Sequence, residues 1–266
     1  MVERITSYSN PTVKRIGKLR DKKYRRAEGL FLAEGLRICT EAVEAGEVPR
    51  ILVFAGATEG HPLVARLVAT VEGAGGQVIA TTPDILHKLT GKDNPQAVLG
   101  VFAARTTALR SLDRMTASVW VVAQGLKDPG NLGTMLRTCD ATGAGGLILL
   151  DDSCDPFSVE AVRASMGALF TCTVVQSDGA AFFSWLRDGP GMLVGASLET
   201  AVDYQSIRYA VPTFVFMGNE QSGLPAEYAA ECDALVKLPM RGRADSLNVA
   251  VACAVLLYEV INQARA

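Results

Sequence analysis

Short apolar runs alternate with helix-like stretches along this chain, and that alternation restricts the fold more than any other feature. In the second half, the apolar runs 119–123, 147–150 and 213–217 are separated by polar turns and by stretches with helical periodicity. Strands that are joined through helices pair in parallel within one sheet. The alternation therefore predicts an α/β protein with a small N-terminal α/β sandwich and a larger C-terminal domain built on a parallel sheet.

The alternation breaks between residues 104 and 117, where the hydrophobic periodicity is lost. A stretch of this kind is typical of a connection between domains. We therefore predict a first domain over 1–107, a linker over 108–117 and a second domain over 118–266. The chain has 266 residues, of which 49% are hydrophobic, so it can bury a core in each domain.

Basic residues concentrate near the N-terminus, although the net charge of the whole chain is only −2. Residues 1–28 contain nine Lys and Arg residues against three Asp and Glu residues. Lys14, Lys18, Lys22 and Arg25 follow one another at spacings of three and four, so a single helix would carry them on one face. Clustered cations favour a polyanionic partner such as nucleic acid, and the alternative is a basic face in contact with solvent alone.

Other classes of protein are disfavoured by the sequence. No apolar run reaches the ~18 residues of a membrane span, and residues 1–7 lack the pattern of a signal peptide, so we expect a cytoplasmic protein with no membrane partner. The six cysteines form no Cys-x-x-Cys pair and only His61 and His87 occur, so we expect neither disulfides nor a metal. A proton-transfer group in the second domain must therefore be a residue other than histidine, or water.

Three polar segments of the second half each follow an apolar, strand-like run. They are Asp128-Pro129-Gly130-Asn131-Leu132-Gly133-Thr134 with Arg137; Gly218-Asn219-Glu220 with Gly223; and Leu238-Pro239-Met240 with Ser246-Leu247-Asn248-Val249. Ligands of open α/β sheets bind at the loops that leave the carboxyl ends of strands. The three segments therefore predict a ligand site.

In this order, the three segments resemble the three motifs of the SpoU (TrmH) family of RNA ribose 2′-O-methyltransferases, within the SPOUT class. The opening Ile5-Thr6-Ser7, Asn10-Pro11 and Glu34-Gly35 also resemble the substrate-binding domain, similar to ribosomal proteins, that often precedes this catalytic domain. The resemblance therefore covers nearly the whole chain. It implies a deep trefoil knot in the second domain, S-adenosylmethionine as the cofactor bound in the knot, and a homodimer that packs across the knots.

The resemblance also implies roles for individual residues. The implied catalytic residues are Arg137, Asn131, Glu220, Ser246 and Asn248, and the implied cofactor-binding residues are Leu198, Gly218, Asn219, Leu238, Met240 and Leu247. Arg163 lies in a segment that resembles a part of the family near the RNA. A guanidinium keeps its charge at neutral pH, which favours Arg137 as an electrostatic clamp over Arg137 as a base.

The final helix is expected to begin after Ser246 as its N-cap, with Asn248 directed into the site. From Leu247 to Leu257 this helix is apolar nearly all round, whereas a helix on the surface of a monomer has a polar side. We expect a second subunit to cover it, with burial inside the single chain as the alternative. A charge at Leu257 is the substitution chosen to disrupt such a dimer.

Three functions follow as hypotheses. The first is 2′-O-methylation of ribosomal RNA of the 23S type, which a separate basic N-terminal domain suits because the target is large and folded. The second is the same reaction on tRNA. The third is a non-catalytic RNA-binding or assembly factor, and the presence of every implied catalytic residue argues against it.

Overall fold

The computed structural model describes residues 1–91, 94–199 and 201–265, and the contacts among them divide the chain into two compact units. Unit 1 comprises Met1–Arg105 and Asp155–Thr171, and unit 2 comprises Thr106–Cys154 and Cys172–Ala266. This division differs from the linear boundaries expected from the sequence, because a segment from the second half of the chain packs with the N-terminal residues. We call residues 155–171 the inserted segment.

Within the described residues, unit 1 has a mixed five-stranded sheet. Its strands are β1 (Val2–Ile5), β2 (Leu30–Glu34), β3 (Ile51–Ala55), β4 (Gln77–Thr81) and β5 (Val98–Ala103). The order is β1-β4-β3-β5-β2, and β5 runs antiparallel to both of its neighbours while the other pairs are parallel. The sequence pattern missed β1, because this strand carries two exposed charged residues and only Ile5 is buried.

Helices cover this sheet. Along the chain they are α1 (Pro11–Lys18), α2 (Lys22–Glu28), α3 (Leu36–Glu44), α4 (Pro62–Gly73) and α5 (Pro83–Thr90), and unit 1 also contains α7 (Val159–Ser165) of the inserted segment. The single basic helix expected from the sequence is wrong. The chain turns after α1, and the Asp21 side chain caps α2 by accepting from the Lys23 N–H at 2.8 Å.

The inserted segment belongs to the core of unit 1. Phe157 and Phe170 pack against the buried rings of Phe31 and Phe102, with centroid distances of 5.0 Å for Phe31–Phe157 and 4.8 Å for Phe102–Phe170. Aromatic pairs at such distances bury large apolar surfaces. The segment is therefore an integral part of this unit.

Unit 2 is built, in its described residues, on a seven-stranded sheet whose strands all run parallel. Its strands are β6 (Val119–Gln124), β7 (Gly146–Leu150), β8 (Thr173–Ser177), β9 (Met192–Ala196), β10 (Val202–Asp203), β11 (Thr213–Met217) and β12 (Ala234–Lys237). Their order is β10-β12-β9-β11-β6-β7-β8. The predicted α/β architecture with a parallel sheet is confirmed, and the trefoil knot stays a prediction.

The helices of unit 2 are α6 (Pro129–Thr142), α8 (Gly179–Arg187), α9 (Ala226–Ala229) and α10 (Val249–Arg265). Helix α10 packs along α6 and against β11. The expected linker is fixed to this unit, because the buried Arg114 guanidinium donates to the carbonyl oxygens of Trp185, Leu186 and Pro190. No helix in the described ranges is long and apolar enough to cross a membrane.

Candidate active site

Four neighbouring strands of unit 2 position the site. In the order β12-β9-β11-β6 they end side by side, and because all are parallel their carboxyl ends lie at one edge of the sheet. The loops after these strands carry the polar segments singled out in the sequence. The topology thus explains why segments as far as 117 residues apart in the chain meet.

An open cavity of about 470 Å³ lies where the chain leaves β9, β11 and β12 and enters α10. All six implied cofactor-binding residues line it: Leu198, Gly218, Asn219, Leu238, Met240 and Leu247. Leu198 is 63% exposed and Leu247 41%, so this cavity presents apolar side chains that a ligand could cover. We call it the cofactor cavity.

Backbone rather than side chains forms one wall of the cofactor cavity. The loop after β11 folds back on itself, since the N–H groups of Asn219 and Gly223 each donate to the other residue's carbonyl oxygen at 3.0 Å. A Cβ atom on Gly218 would overlap the backbone of Gly223 and Leu224. Glycine at 218 is therefore required for this close approach, and the resulting wall of peptide groups beside leucines fits the adenosyl part of S-adenosylmethionine.

A second cavity of about 510 Å³ adjoins the first and is more polar. Four implied catalytic residues line it: Asn131, Glu220, Ser246 and Asn248. Six residues line both cavities: Asn219, Glu220, Gln221, Ser246, Leu247 and Val249. We call the second cavity the acceptor cavity. Lys127, Asp128 and Gln221 also line it. Asp128 begins the first motif segment, whereas the only sequence signal of Lys127 and Gln221 is their position beside motif residues.

Glu220 is the centre of the hydrogen-bond network between these loops. Its carboxylate accepts from the N–H groups of Lys127 at 3.1 Å and Asp128 at 3.0 Å, and from Asn131 Nδ2 at 3.2 Å. Burial alone would raise the pKa of the Glu220 carboxyl, but hydrogen bonds from three backbone N–H groups and the Asn131 amide lower this pKa below its ordinary value. Glu220 is thus ionised at neutral pH and joins the loops after β6 and β11.

Asn248 lines the acceptor cavity and also has a structural role that the sequence did not predict. Its Oδ1 accepts from the N–H groups of Ala250 at 2.9 Å and Val251 at 3.3 Å, so Asn248 caps α10 and the expectation that Ser246 is the N-cap is wrong. Its Nδ2 also donates to Asn131 Oδ1 at 2.9 Å. Asparagine at this position therefore begins the last helix and fixes Asn131 at the same time.

Arg137 lies apart from the other four implied catalytic residues. It follows Asn131 by six helical positions, about 9 Å along α6 and about 120° away from Asn131 around the helix axis. Its side chain is exposed, lines neither cavity and makes no hydrogen bond or ion pair within the part of the chain that the structure describes. The opposite side of α6 is buried as expected, through Leu132, Met135, Leu136 and Cys139.

The predicted RNA-binding residues are all in unit 1. Lys14, Lys18 and Arg163 are exposed and Lys22 is partly exposed. Arg25 is a correction: it is only 5% exposed, and its guanidinium donates to Asp155 Oδ2 at 2.7 Å and to the carbonyl oxygens of Leu19 and Arg20. Arg25 therefore stabilises the fold and is not available to an RNA phosphate.

Known protein families and individual relatives match nearly the whole length of this chain. A profile of the SpoU rRNA Methylase family matches residues 118–258, and a profile of the MRM3-like substrate binding domain matches residues 10–100. A 23S rRNA (guanosine(2553)-2′-O)-methyltransferase of Bacillus subtilis is 29% identical over 97% of this chain and 99% of its own length. A 23S rRNA (uridine(2479)-2′-O)-methyltransferase of Streptomyces viridochromogenes is 32% identical over 92% of this chain and 87% of its own length.

Solved structures agree with these sequence relatives. An AdoMet-bound rRNA methyltransferase from Sinorhizobium meliloti is 38% identical, with a TM-score of 0.92 and 98% of each chain covered. A structure described as giving insights into the 2-OH methylation of C/U34 on tRNA is 28% identical, with a TM-score of 0.52, and covers 55% of this chain and 96% of its own. Among the described residues, no group of three or more His, Cys, Asp or Glu side chains could hold a metal ion.

Proposed function

Because the chain belongs to the SpoU rRNA methylase family, we propose that it is an S-adenosylmethionine-dependent enzyme that methylates a ribose 2′-hydroxyl in ribosomal RNA. The observation that carries this proposal is the pair of adjoining cavities. The first has leucines beside bare peptide groups, and the lining of the second includes the ionised Glu220 carboxylate, the amides of Asn131 and Asn248 and the Ser246 hydroxyl. Two reactants bound in these cavities would meet at the residues that the cavities share.

The residues of the chain have to position the acceptor. Bound S-adenosylmethionine would supply a methyl group on a positively charged sulfur. An oxygen in line with the carbon–sulfur bond would form the new bond to the methyl carbon, and the sulfur would leave as a neutral thioether. Asn131 is held from both sides, because its Nδ2 donates to Glu220 and its Oδ1 accepts from Asn248. We assign to Glu220, Asn131 and Asn248 the placement of the ribose, and to Ser246, at the border of the cavities, a contact with it.

The 2′-hydroxyl has to lose its proton during the transfer. The lowered pKa of Glu220 and the bonds that its oxygens already accept make this carboxylate a poor base. We assign to Arg137 the stabilisation of the developing negative charge, with water taking the proton. Since Arg137 lies outside the cavities of its own chain, we propose that it serves the acceptor cavity of a second copy.

A homodimer is part of this proposal. The exposed side of α10 presents Val251, which is 47% exposed, and Tyr258, which is 57% exposed, with the partly buried Val255 between them. These positions form one apolar stripe at helical spacing. The buried Leu257 is not part of this stripe, since its side chain is 0% exposed.

Ribosomal RNA is the substrate that the coverage of the relatives favours. The relatives named for 23S rRNA align over 92–97% of this chain, whereas the structure named for tRNA aligns over 55%. Alignments over 92–97% of the chain include most of the N-terminal domain, whose residues 1–28 are rich in Lys and Arg. We therefore propose rRNA as the substrate and the cytoplasm as the place of reaction.

The test uses purified protein, radiolabelled S-adenosylmethionine and either protein-free ribosomal RNA or total tRNA. We expect label to appear in rRNA as an alkali-resistant 2′-O-methyl nucleotide. Label in tRNA alone would support the alternative substrate. Binding of rRNA with no transfer of label and no affinity for S-adenosylmethionine would support the assembly factor and contradict the enzyme.

A further inference from the structure

Unit 1 contains a cavity of its own, which has no part in the chemistry assigned above. It is open and has a volume of about 460 Å³. Three separate stretches of the chain line it: the end of α1 with the turn into α2, the end of α5, and α7 of the inserted segment. The lining residues used below are Lys18, Arg20, Asp21, Tyr24, Gly91 and Arg163.

Positively charged side chains dominate this cavity. Lys18, Arg20 and Arg163 line it, against the carboxylates of Asp21 and Glu160. The Asp21 carboxylate is engaged in capping α2 through the Lys23 N–H. The Lys18 Nζ lies 5.3 Å from the centroid of the Tyr24 ring, so an aromatic surface lies beside the cations.

Arg20 lies directly against the main chain of a neighbouring turn. Gly91, which ends α5, has φ of 68°, and a Cβ atom at this position would overlap the Arg20 guanidinium. A residue with a side chain at 91 would therefore displace the guanidinium as well as strain the backbone. Glycine here leaves room for a flat cationic group in the wall of the cavity.

Arg25 fixes the two sides of the cavity relative to each other. Its Nη1 donates to the carbonyl oxygens of Leu19 at 2.9 Å and Arg20 at 2.7 Å, while its Nε and Nη2 donate to Asp155 Oδ2 at 3.0 and 2.7 Å. Both side chains of this ion pair are largely buried, at 6% and 13% exposure. The turn that carries Arg20 is thus tied to the segment that carries Arg163.

We propose that this cavity binds a backbone phosphate of the RNA substrate through Lys18, Arg20 and Arg163. The proposal rests on the RNA substrate proposed above and adds a specific anchoring point in unit 1. Arginine and lysine side chains match phosphate oxygens in charge and in hydrogen-bond geometry. A preformed cavity loses less conformational freedom on binding than cations on separate flexible side chains.

The test compares two double variants that remove the same charge. Lys18→Gln/Arg163→Gln removes two cations from the cavity, whereas Lys23→Gln/Arg26→Gln removes two exposed cations of α2 that do not line it. Affinity for protein-free ribosomal RNA is measured over a range of salt concentrations. Loss of this one phosphate contact lowers the slope of log affinity against log salt by about 0.7 to 0.9, so the cavity variant should bind about sixfold more weakly at 0.1 M salt.

The control variant should stay within about threefold of the wild type, and both should keep wild-type affinity for S-adenosylmethionine. An equal loss of RNA affinity in both variants would mean that RNA binds to a diffuse basic surface, and it would overturn the proposed phosphate site. Unchanged RNA affinity in the cavity variant would overturn it as well. Failure of the proposed function is a distinct outcome, because the wild-type protein itself would then neither bind nor methylate rRNA.

Discussion

At the scale of single residues, Glu220 connects two loops only while it is ionised, so the stability of the site should depend on pH. The folded protein lowers the pKa of this carboxyl, and its stabilising contribution is therefore present above the ordinary carboxyl pKa and is lost as the pH falls through the lowered value. We expect Glu220→Gln to lower the melting temperature at pH 7 and to have a much smaller effect near pH 3. Calorimetry of both proteins at the two pH values measures this.

The exposed Glu227 of α9 supplies the control. Glu227→Gln should leave the melting temperature at pH 7 within about 1 °C of the wild type, because exposed substitutions change stability little. A Glu220→Gln protein whose melting temperature is unchanged at pH 7 would contradict the connecting role.

Gly218 gives a second prediction at this scale. In Gly218→Ala the new Cβ would overlap the backbone of the returning loop, so the wall of the cofactor cavity has to move. We expect affinity for S-adenosylmethionine, measured by calorimetry, to fall at least about tenfold, equal to about 1.4 kcal/mol. Gly242→Ala is the matched control, since a Cβ there meets no atom within 4 Å. Equal affinities in the two variants would refute the close approach.

Residue identities in the motifs were predictable, but hydrogen-bond partners were not. Six residues implied by the resemblance line the cofactor cavity, and four line the acceptor cavity. The motif pattern could not show that Asn248 rather than Ser246 caps α10, because both residue types are good caps and only the residue at which the first helical turn begins decides between them. Arg25 was misassigned because its buried partner, Asp155, lies 130 positions away in the chain.

At the scale of elements, α10 has one buried side and one exposed apolar side. We expect Val251→Asp/Tyr258→Asp to convert a dimer into a monomer of 28.2 kDa, because two charges on the stripe would have to be buried in the interface. Light scattering at micromolar concentration measures the mass. Ala180→Asp, at an exposed position of α8, should remain dimeric. A wild-type protein that is already monomeric under these conditions would exclude the dimer.

Elements with a strong hydrophobic period were predictable, and the others were not. Strands β6, β7 and β11 are buried except for Gln124 at the end of β6, and they read as continuous apolar runs, as strands buried on both faces do. Strand β1 carries two charges in four residues and is held through its pairing with β4, which no local pattern reveals. The break between α1 and α2 was missed because Leu19 continues the apolar stripe through the turn and is itself buried.

At the scale of the whole molecule, a dimer in which Arg137 of each subunit serves the acceptor cavity of the other predicts that two inactive variants can restore activity when they form mixed dimers. We expect Arg137→Ala to abolish methyl transfer while affinity for S-adenosylmethionine stays within about threefold, because Arg137 lines neither cavity. Asn131→Ala should also be inactive. Mixed dimers of the two variants would contain one intact acceptor cavity facing an intact Arg137, so activity should return to about a quarter of the wild-type value at equal mixing.

The assay measures methyl transfer after the two subunit types are unfolded together and refolded. Two inactive variants that stay inactive together, while forming mixed dimers, would place Arg137 in the site of its own chain. Methyl transfer by Arg137→Ala alone, or by Asn131→Ala alone, would show that the substituted residue is not essential for the reaction.

The inserted segment predicts which fragments of the chain can fold on their own. A fragment of residues 1–107 would lack Phe157, Phe170 and Asp155, leaving two buried aromatic rings uncovered and the Arg25 guanidinium without its carboxylate. Breaking a buried ion pair alone costs about 3 to 5 kcal/mol. We expect the fragment to show no cooperative thermal transition by circular dichroism, whereas the same fragment joined to residues 155–171 through a flexible linker should show one. A cooperative transition in 1–107 alone would contradict this.

The inserted segment also determines when the core of unit 1 can be completed during synthesis of the chain. A ribosome that has just added residue 105 has made every strand of the N-terminal sheet, yet the aromatic side chains that close its core are still 52 to 65 codons ahead. At typical elongation rates of 5 to 20 residues per second, the nascent chain spends roughly 3 to 13 s in this incomplete state. During that interval the rings of Phe31 and Phe102 lack the aromatic side chains that pack against them in the folded unit.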